Sequence, residues 1–366
     1  MTEQVQARSA TRRLAPAGVI FALLGLALFA YFVWRAEPGR VWEKLSEVGV
    51  GFALILVISG ARFAVRAFAW TQCFEPPHRL GFRAALRAFL VGDTAGNILP
   101  VGLVVSEPTK VAMVRDRVPL AAAASAIAVE NLFYMLSVAL FIFSGAAALL
   151  LSFPLTKTLR YSSEGVLAGV VVFALCAFYA ARRQARFVSG AVEWAARAGL
   201  GRRGLPRRRE RARSPEDRIY GFYARNRRRL LPILALEFVF HLLGVAEAYA
   251  TLWLMGGATP TVFAAFLFES VNRVITMVFK FVPLRAGVDE AGTGLVAKIL
   301  RFGEAAGVTL AIIRKARMLF WMAVGVGLLV GRGLSLRDVT GEAEEVLAYQ
   351  AEQKHTAEQI EGATLN

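Results

Sequence analysis

Cysteine and histidine are scarce in this chain: Cys73 and Cys176, with His78, His241 and His355, are all it has. One cysteine precedes a His/Pro turn and the other sits inside an apolar run, so neither a disulfide framework nor a cysteine-based zinc site is available. The three histidines are too scattered for a metal cluster, and no cofactor is expected. Acidic residues are also few, 27 against 43 Lys plus Arg, for a formal charge of +16. A nucleotide-binding glycine loop, an Asp-x-Asp metal motif and a His/Asp pair at catalytic spacing are all missing, which argues against an enzyme. What abounds is apolar: 56% of the 366 residues are hydrophobic and the mean hydropathy is +0.50. So apolar an average coexists with so many cations only if the two are segregated. They are: apolar runs of about 20 residues recur, with arginines between them, the pattern of an all-α polytopic membrane protein under the positive-inside rule. A soluble globular enzyme is excluded.

The first run, Ala17 to Trp34, ends in Tyr31, Phe32 and Trp34 rather than a small-residue cleavage site, so it reads as a retained helix with an aromatic anchor. Further full spans are expected at Val48–Trp70, Leu120–Leu151, Gly165–Ala180, Leu230–Met255 and Val308–Val330. Two stretches differ. Ala84–Val114 is broken by Gly92, Gly96, Pro100 and Gly102 into pieces too short to cross, and Phe263–Leu300 is interrupted between Pro283 and Gly294; both read as re-entrant hairpins. Residues 181–229 hold sixteen arginines against four acidic residues and must be cytoplasmic. Within them Phe187, Val188, Ala191, Val192 and Ala195 share a face, as a surface-lying amphipathic piece would. Six spans and two hairpins, with both termini in the cytoplasm, place the uncharged Gly256–Thr261 loop outside. The expected layout is an N-terminus over 1–14, a membrane domain over 15–331, and a cytoplasmic polar tail over 332–366, in which Glu342, Glu344 and Glu345 open a soluble helix.

Ile98-Leu99-Pro100-Val101-Gly102 with Glu107, and Phe281-Val282-Pro283-Leu284-Arg285 with Glu290, each place a glutamate seven residues after a proline. Downstream, Leu132-Phe133-Tyr134-Met135 is echoed by Leu319-Phe320-Trp321-Met322. Each half then reads as span, span, hairpin, span, over 15–152 and 165–331. Three spans per half is an odd number, so the halves are expected to be inverted, as in transporters whose binding sites lie where paired discontinuous helices meet. Chance matches in a Gly- and Pro-containing membrane protein are the competing explanation.

Ionisable residues inside a span cost about 2.5 to 3.5 kcal/mol each at a helix centre, so they should face a cavity or one another. Those singled out are Arg62 and Arg66 on one face of the second span; Asp93, Asn97, Glu107 and Lys110 around the first break; Glu130 and Asn131 beyond it; Asn272, Arg273, Arg285, Asp289 and Glu290 around the second break; and Arg314 and Arg317 on the last helix. Arg62, Arg66, Lys110 and Lys280 could equally snorkel to the interface. Glu237, His241 and Glu247, on one span, could be interhelical glue. Gly96, Pro100, Gly102, Pro283 and Gly287 permit the breaks, and unwound backbone at membrane depth is tolerated only where it is buried or lines a wet cavity. Half-helix N-termini and arginines would make that cavity a site for an anionic group, and guanidinium forks suit phosphate. In this scheme Arg62, Arg66 and Arg285 attract a head group while Glu107 and Glu290 shape or protonate a gate.

Arg66-Ala67-Phe68-Ala69-Trp70, Gly96-Asn97-Ile98-Leu99-Pro100-Val101-Gly102 with Glu107, and Pro283 through Gly287 to Glu290 with Gly292 resemble the membrane domain of lysylphosphatidylglycerol synthases, the flippase-like domain, over about residues 15 to 331. Leu284-Arg285-Ala286 departs from a family break that is usually richer in glycine. The resemblance implies movement of lipid between leaflets of a bacterial inner membrane: an anionic phospholipid, a polyprenyl phosphate or a hopanoid-type amphiphile. The alternative is a non-transporting partner, or an integral-membrane enzyme, of lipid or glycan synthesis. Only 36 residues follow Val330, too few for an acyltransferase domain, so lysyl transfer is not expected. Expected partners are membrane lipids and a separately encoded lipid-synthesis enzyme. Nucleic acid is not among them, because the Arg-rich stretch has no fold of its own.

Overall fold

A computed structural model describes residues 34, 38–98, 102–154, 156–183, 221–222, 225–256, 259–279, 282 and 285–331. The expectations for the first span before Trp34, for Pro100, Lys280 and Pro283, for most of the Arg-rich loop and for the tail lie outside them. Among the described residues the fold is all α: α1 (Pro38–Val48), a 3-10 turn at Gly49–Gly51, α2 (Phe52–Gln72), α3 (Phe82–Ile98), α4 (Gly102–Ala112), α5 (Leu120–Ser152), α6 (Lys157–Arg183), α7 (Arg227–Leu254), α8 (Val262–Val278), α9 (Val288–Ile299) and α10 (Glu304–Val330). Apolar runs without a β pattern fold this way because in lipid a helix alone satisfies its own backbone.

Among the described residues four helices, Ser46–Gln72, Leu120–Ser152, Lys157–Cys176 and Arg227–Leu254, have the length and composition to cross a membrane. At 1.5 Å per residue, the 33 residues of α5 reach about 50 Å, well beyond a hydrocarbon core of about 30 Å. α10 has 27 residues but carries Arg314, Lys315 and Arg317 and is not among the four. Large apolar side chains such as Val57, Leu140, Val172, Leu231, Phe238 and Leu319 face outward, while Glu130, Glu237, Glu269 and Glu290 are at most 1% exposed. That inversion of the usual soluble arrangement is what a lipid surround selects.

Several boundaries differ from the sequence expectation. α3 runs unbroken through Gly92 and Gly96. A Cβ on Gly92 would lie 2.5 Å from Lys110 Cγ and 2.9 Å from the Ser106 carbonyl oxygen, so this glycine seats α4 against α3 rather than ending a helix. Gly292 is likewise inside α9, where a Cβ would meet the Ile275 side chain. The second interruption is therefore confined to residues between Val278 and Val288, ahead of Gly292 and Gly294. It is turned by Arg285 and Gly287 in the left-handed region, at φ 48° and 79°, and the Gly287 N–H donates to Glu290 Oε2 at 2.7 Å, capping α9. The span expected at Gly165–Ala180 is the longer α6. α1, which the sequence reading did not anticipate, leads into α2 with Trp42 exposed.

α2 and α7 form the antiparallel centre. Arg229 Nη1 donates to the Phe74 carbonyl at 2.9 Å at one end, and Gly51 abuts Leu254 at the other. The first hairpin, α3–α4, starts at the Phe74 end; the second, α8–α9, starts at the Leu254 end. Packing partners correspond between halves: α2 on α3 as α7 on α8, α3 on α4 as α8 on α9, α4 on α5 as α9 on α10, and α5 on α8 as α10 on α3. Two apolar clusters close the ends. One gathers Trp70, Ala88, Phe89, Val111, Ile127 and Ile233, and the other Ile55, Leu252, Phe268, Val296, Leu310 and Ile313. Arg62 and Arg66 lie between Ile55 and Trp70 on α2, and Glu237, His241 and Glu247 between Ile233 and Leu252 on α7. The charges thus form a layer between two apolar plugs.

Candidate functional site

The layer divides into bays. In the first, the Arg66 guanidinium grips Glu130 through Nε to Oε1 at 2.8 Å and Nη2 to Oε2 at 2.9 Å, with Asn131 Oδ1 at 3.4 Å. Its face lies over Tyr134, 3.8 Å from the ring centroid. Lys110 donates to Glu107 at 2.8 Å across one turn of α4 and sits 4.3 Å from the Phe89 centroid. On α3, Asn97 donates to the Asp93 carbonyl and to Asp93 Oδ2 at 2.9 and 3.0 Å. Glu237 from α7 stands in the fields of Arg66, Glu130 and Lys110. Both its oxygens, like Glu107 Oε2, are buried without a hydrogen-bond partner among the described residues. Four acids, Asp93, Glu107, Glu130 and Glu237, share this bay with two cations, Arg66 and Lys110.

The second bay is centred on Glu269 of α8. It accepts from Arg62 of α2 at 3.1 Å, from Arg273 one turn along α8, from Arg314 of α10 at 3.4 Å and from Asn272 at 3.1 Å. Arg62 Nη1 also reaches Glu247 at 2.7 Å, and Arg317 Nη1 closes on the same carboxylate at 2.5 and 2.6 Å. Arg62 and Arg273 both lie over Phe240, at 4.7 and 4.9 Å. Four guanidiniums face two carboxylates here, a surplus of two positive charges. Gly244 makes the arrangement possible, since a Cβ there would fall 2.5 Å from Glu269 Oε1. Between the bays, Ser137 Oγ meets His241 Nε2 at 3.1 Å, and Phe141 stacks on the imidazole.

A third group lies at the start of α9. Arg285 donates to Asp289 at 3.2 Å, and Lys315 bridges Glu290 at 2.5 Å and Asp289 at 3.6 Å. Its charges cancel. Glu290 is thus held by a backbone cap and a lysine, whereas Glu107 is held by Lys110 and is a third exposed.

Of the expected site residues, Arg62, Asn272, Arg273 and Arg314 meet in the second bay; Arg66, Asn97, Glu107, Lys110, Glu130 and Asn131 in the first; and Arg285, Gly287, Asp289 and Glu290 in the third. Gly102 opens α4. Arg62, Arg66 and Lys110 turn inward instead of snorkelling. Arg62 and Arg66, one turn apart, serve different bays. Glu269 and Lys315 were missed. Glu269 follows Phe266-Leu267-Phe268, and a lone acid in an apolar helix with Asn and Arg three and four residues on was the available signal. Outside the layer, Glu75 in the α2–α3 loop accepts from Arg225 and Asn226, and these bonds hold its carboxyl below the usual carboxylate range.

The family model described as the lysylphosphatidylglycerol synthase TM region matches residues 18–327. The chain belongs to this family. It is a multi-pass integral membrane protein of lipid-related function. No curated protein and no solved structure matches it.

Proposed function

We propose that this protein moves an amphiphile with a charged head group between leaflets of the bacterial inner membrane, without chemical change to it. The observation that carries the reading is the buried charged layer between the two apolar clusters, fed by two hairpins that start at opposite ends of the bundle. A buried ion pair is weak evidence for stability, because desolvation offsets most of its attraction. Some sixteen ionisable groups in one layer therefore fit a path for a polar head better than a scaffold. The matched packing partners of the two halves, with α2 antiparallel to its counterpart α7, support an inverted repeat in which one half rocks against the other. Tails would stay in lipid along the exposed apolar flanks while the head crosses the layer.

The contact of Arg229 with Phe74 puts the α2–α3 loop on the side of the Arg-rich segment, which the positive-inside rule assigns to the cytoplasm. The test is reconstitution with labelled phospholipid and dithionite quenching of the outer leaflet. Wild type should equilibrate label faster than empty vesicles, and Glu107→Ala/Glu290→Ala should slow it. Rates equal to those of empty vesicles for both proteins would remove the mechanism and leave an enzyme or a partner protein as the reading.

A further inference from the structure

Glu269 is bound by more cation than it can neutralise. Arg62, Arg273 and Arg314 converge on its carboxylate, and Arg62 and Arg317 share Glu247. Two of these guanidiniums still have a buried donor with no hydrogen-bond partner among the described residues: Arg62 Nε and Arg314 Nη1. Their side chains are 8% and 7% exposed. A guanidinium N–H buried without an acceptor is costly, and a protein interior rarely leaves one so. Both donors belong to groups anchored on the same carboxylate, from helices α2 and α10 of different halves. Arg317, 19% exposed, is the most exposed member of the cluster.

We propose that the Arg62, Arg273, Arg314 and Arg317 cluster is an oxyanion site that takes one phosphate group, and that the group is a terminal phosphomonoester. The proposal rests on the translocation reading only for its source, a lipid head; the site itself stands on the unsatisfied donors and the charge count. Planar guanidiniums bind phosphate oxygens two at a time, which a single carboxylate already held from three sides cannot reciprocate. A phosphomonoester carries about −1.5 to −2 charges at neutral pH and offers three acceptor oxygens, so it matches the surplus of two. A phosphodiester, with one charge, neutralises half of it. In the neighbouring bay, one helical turn away along α2, the Arg66 guanidinium is already bound to both oxygens of Glu130. Arg66 is thereby assigned to Glu130 and not to the ligand.

The test is isothermal titration of the full-length protein in a nonionic detergent with four probes: dihexanoyl phosphatidic acid, dihexanoyl phosphatidylglycerol, dihexanoylglycerol and inorganic phosphate. The expected order is monoester tighter than diester by at least tenfold, with no saturable binding of dihexanoylglycerol. Arg314→Gln should weaken the monoester at least tenfold, Arg314→Lys should recover part of that, and the surface variant Arg160→Gln should match wild type. Inorganic phosphate that competes with phosphatidic acid places the affinity in the free phosphate group. Failure to compete while the lipid binds assigns the site to a lipid head. Dihexanoylglycerol bound as tightly as phosphatidic acid by the wild-type protein overturns the proposal whether or not the variants fold, and so does a diester bound more tightly than the monoester. Tight monoester binding without leaflet exchange would sink the translocation reading and leave the site standing.

Discussion

Arg66 reaches from α2 to Glu130 on α5, whereas Glu247 on α7 receives Arg317 from α10. Glu130 precedes Tyr134 by four residues and Arg317 precedes Trp321 by four. Tyr134 meets Phe240 on α7 with ring centroids 5.7 Å apart, and Trp321 meets Phe63 on α2 at 5.4 Å while donating to Ser59 Oγ at 2.7 Å. The two bays are one arrangement of helices with the signs of the central pair exchanged. The exchange sets a bay rich in acids and a bay rich in guanidiniums beside each other, with Arg66 of α2 in the first and Arg62 of α2 in the second. A bay of one sign alone would have to be paid for by desolvation without a nearby counter-charge.

The two bays differ most at Glu269, which three guanidiniums share. Glu269→Gln leaves three guanidiniums facing one another and should destabilise by about 3 to 5 kcal/mol, the cost of removing one partner from a buried pair. Glu130→Gln, which orphans Arg66 alone and leaves its stack on Tyr134, should cost less. Thermal unfolding in detergent micelles reads both, and the reverse order would mean that the two bays are not organised as described. Next is Gly244→Ala, which drives a methyl group into Glu269; overpacking of this kind costs about 1 to 3 kcal/mol. The same substitution should disturb phosphate binding more than it disturbs any property of the first bay. A cycle of Arg66→Gln and Glu130→Gln should show a coupling of about 0.5 to 3 kcal/mol, because each single change strands the other partner. Trp321→Phe removes one hydrogen bond to Ser59 and should cost about 0.5 to 1.5 kcal/mol.

The smallest effect is expected outside the layer. Arg225 holds the Glu75 carboxyl below its ordinary range, so this contact contributes stability above the usual carboxylate pKa and loses it as pH falls through the lowered value. Glu75→Gln should flatten the acid limb of the melting-temperature profile slightly and leave neutral pH nearly unchanged, as exposed pairs do.

Membrane class, the hairpins and most of the charged layer were legible in the sequence, because a charge in an apolar run is costly wherever it falls and so announces itself. Arg62, Arg66, Glu130, Arg273 and Arg314 were found that way. Partnership was not legible: Arg62 and Arg66 share a helix face, yet α7 and α8 claim one and α5 the other, which only the packing decides. The glycines misled for a related reason. Gly92 and Gly292 break helices in a propensity scale, but in a bundle they admit a neighbour, and nothing local separates the two uses. Glu269 escaped notice in a stretch read for its break rather than for its interior.

Transport by this route requires the two hairpins to enter from opposite faces of the membrane. Impermeant maleimide labelling of intact cells measures this directly, with Cys73 and Cys176 replaced and single cysteines placed at Arg79, before α3, and Thr259, before α8. Thr259→Cys should label in intact cells and Arg79→Cys only after permeabilisation. Labelling of both positions from the same face would contradict the inverted arrangement and the shared interior built on it.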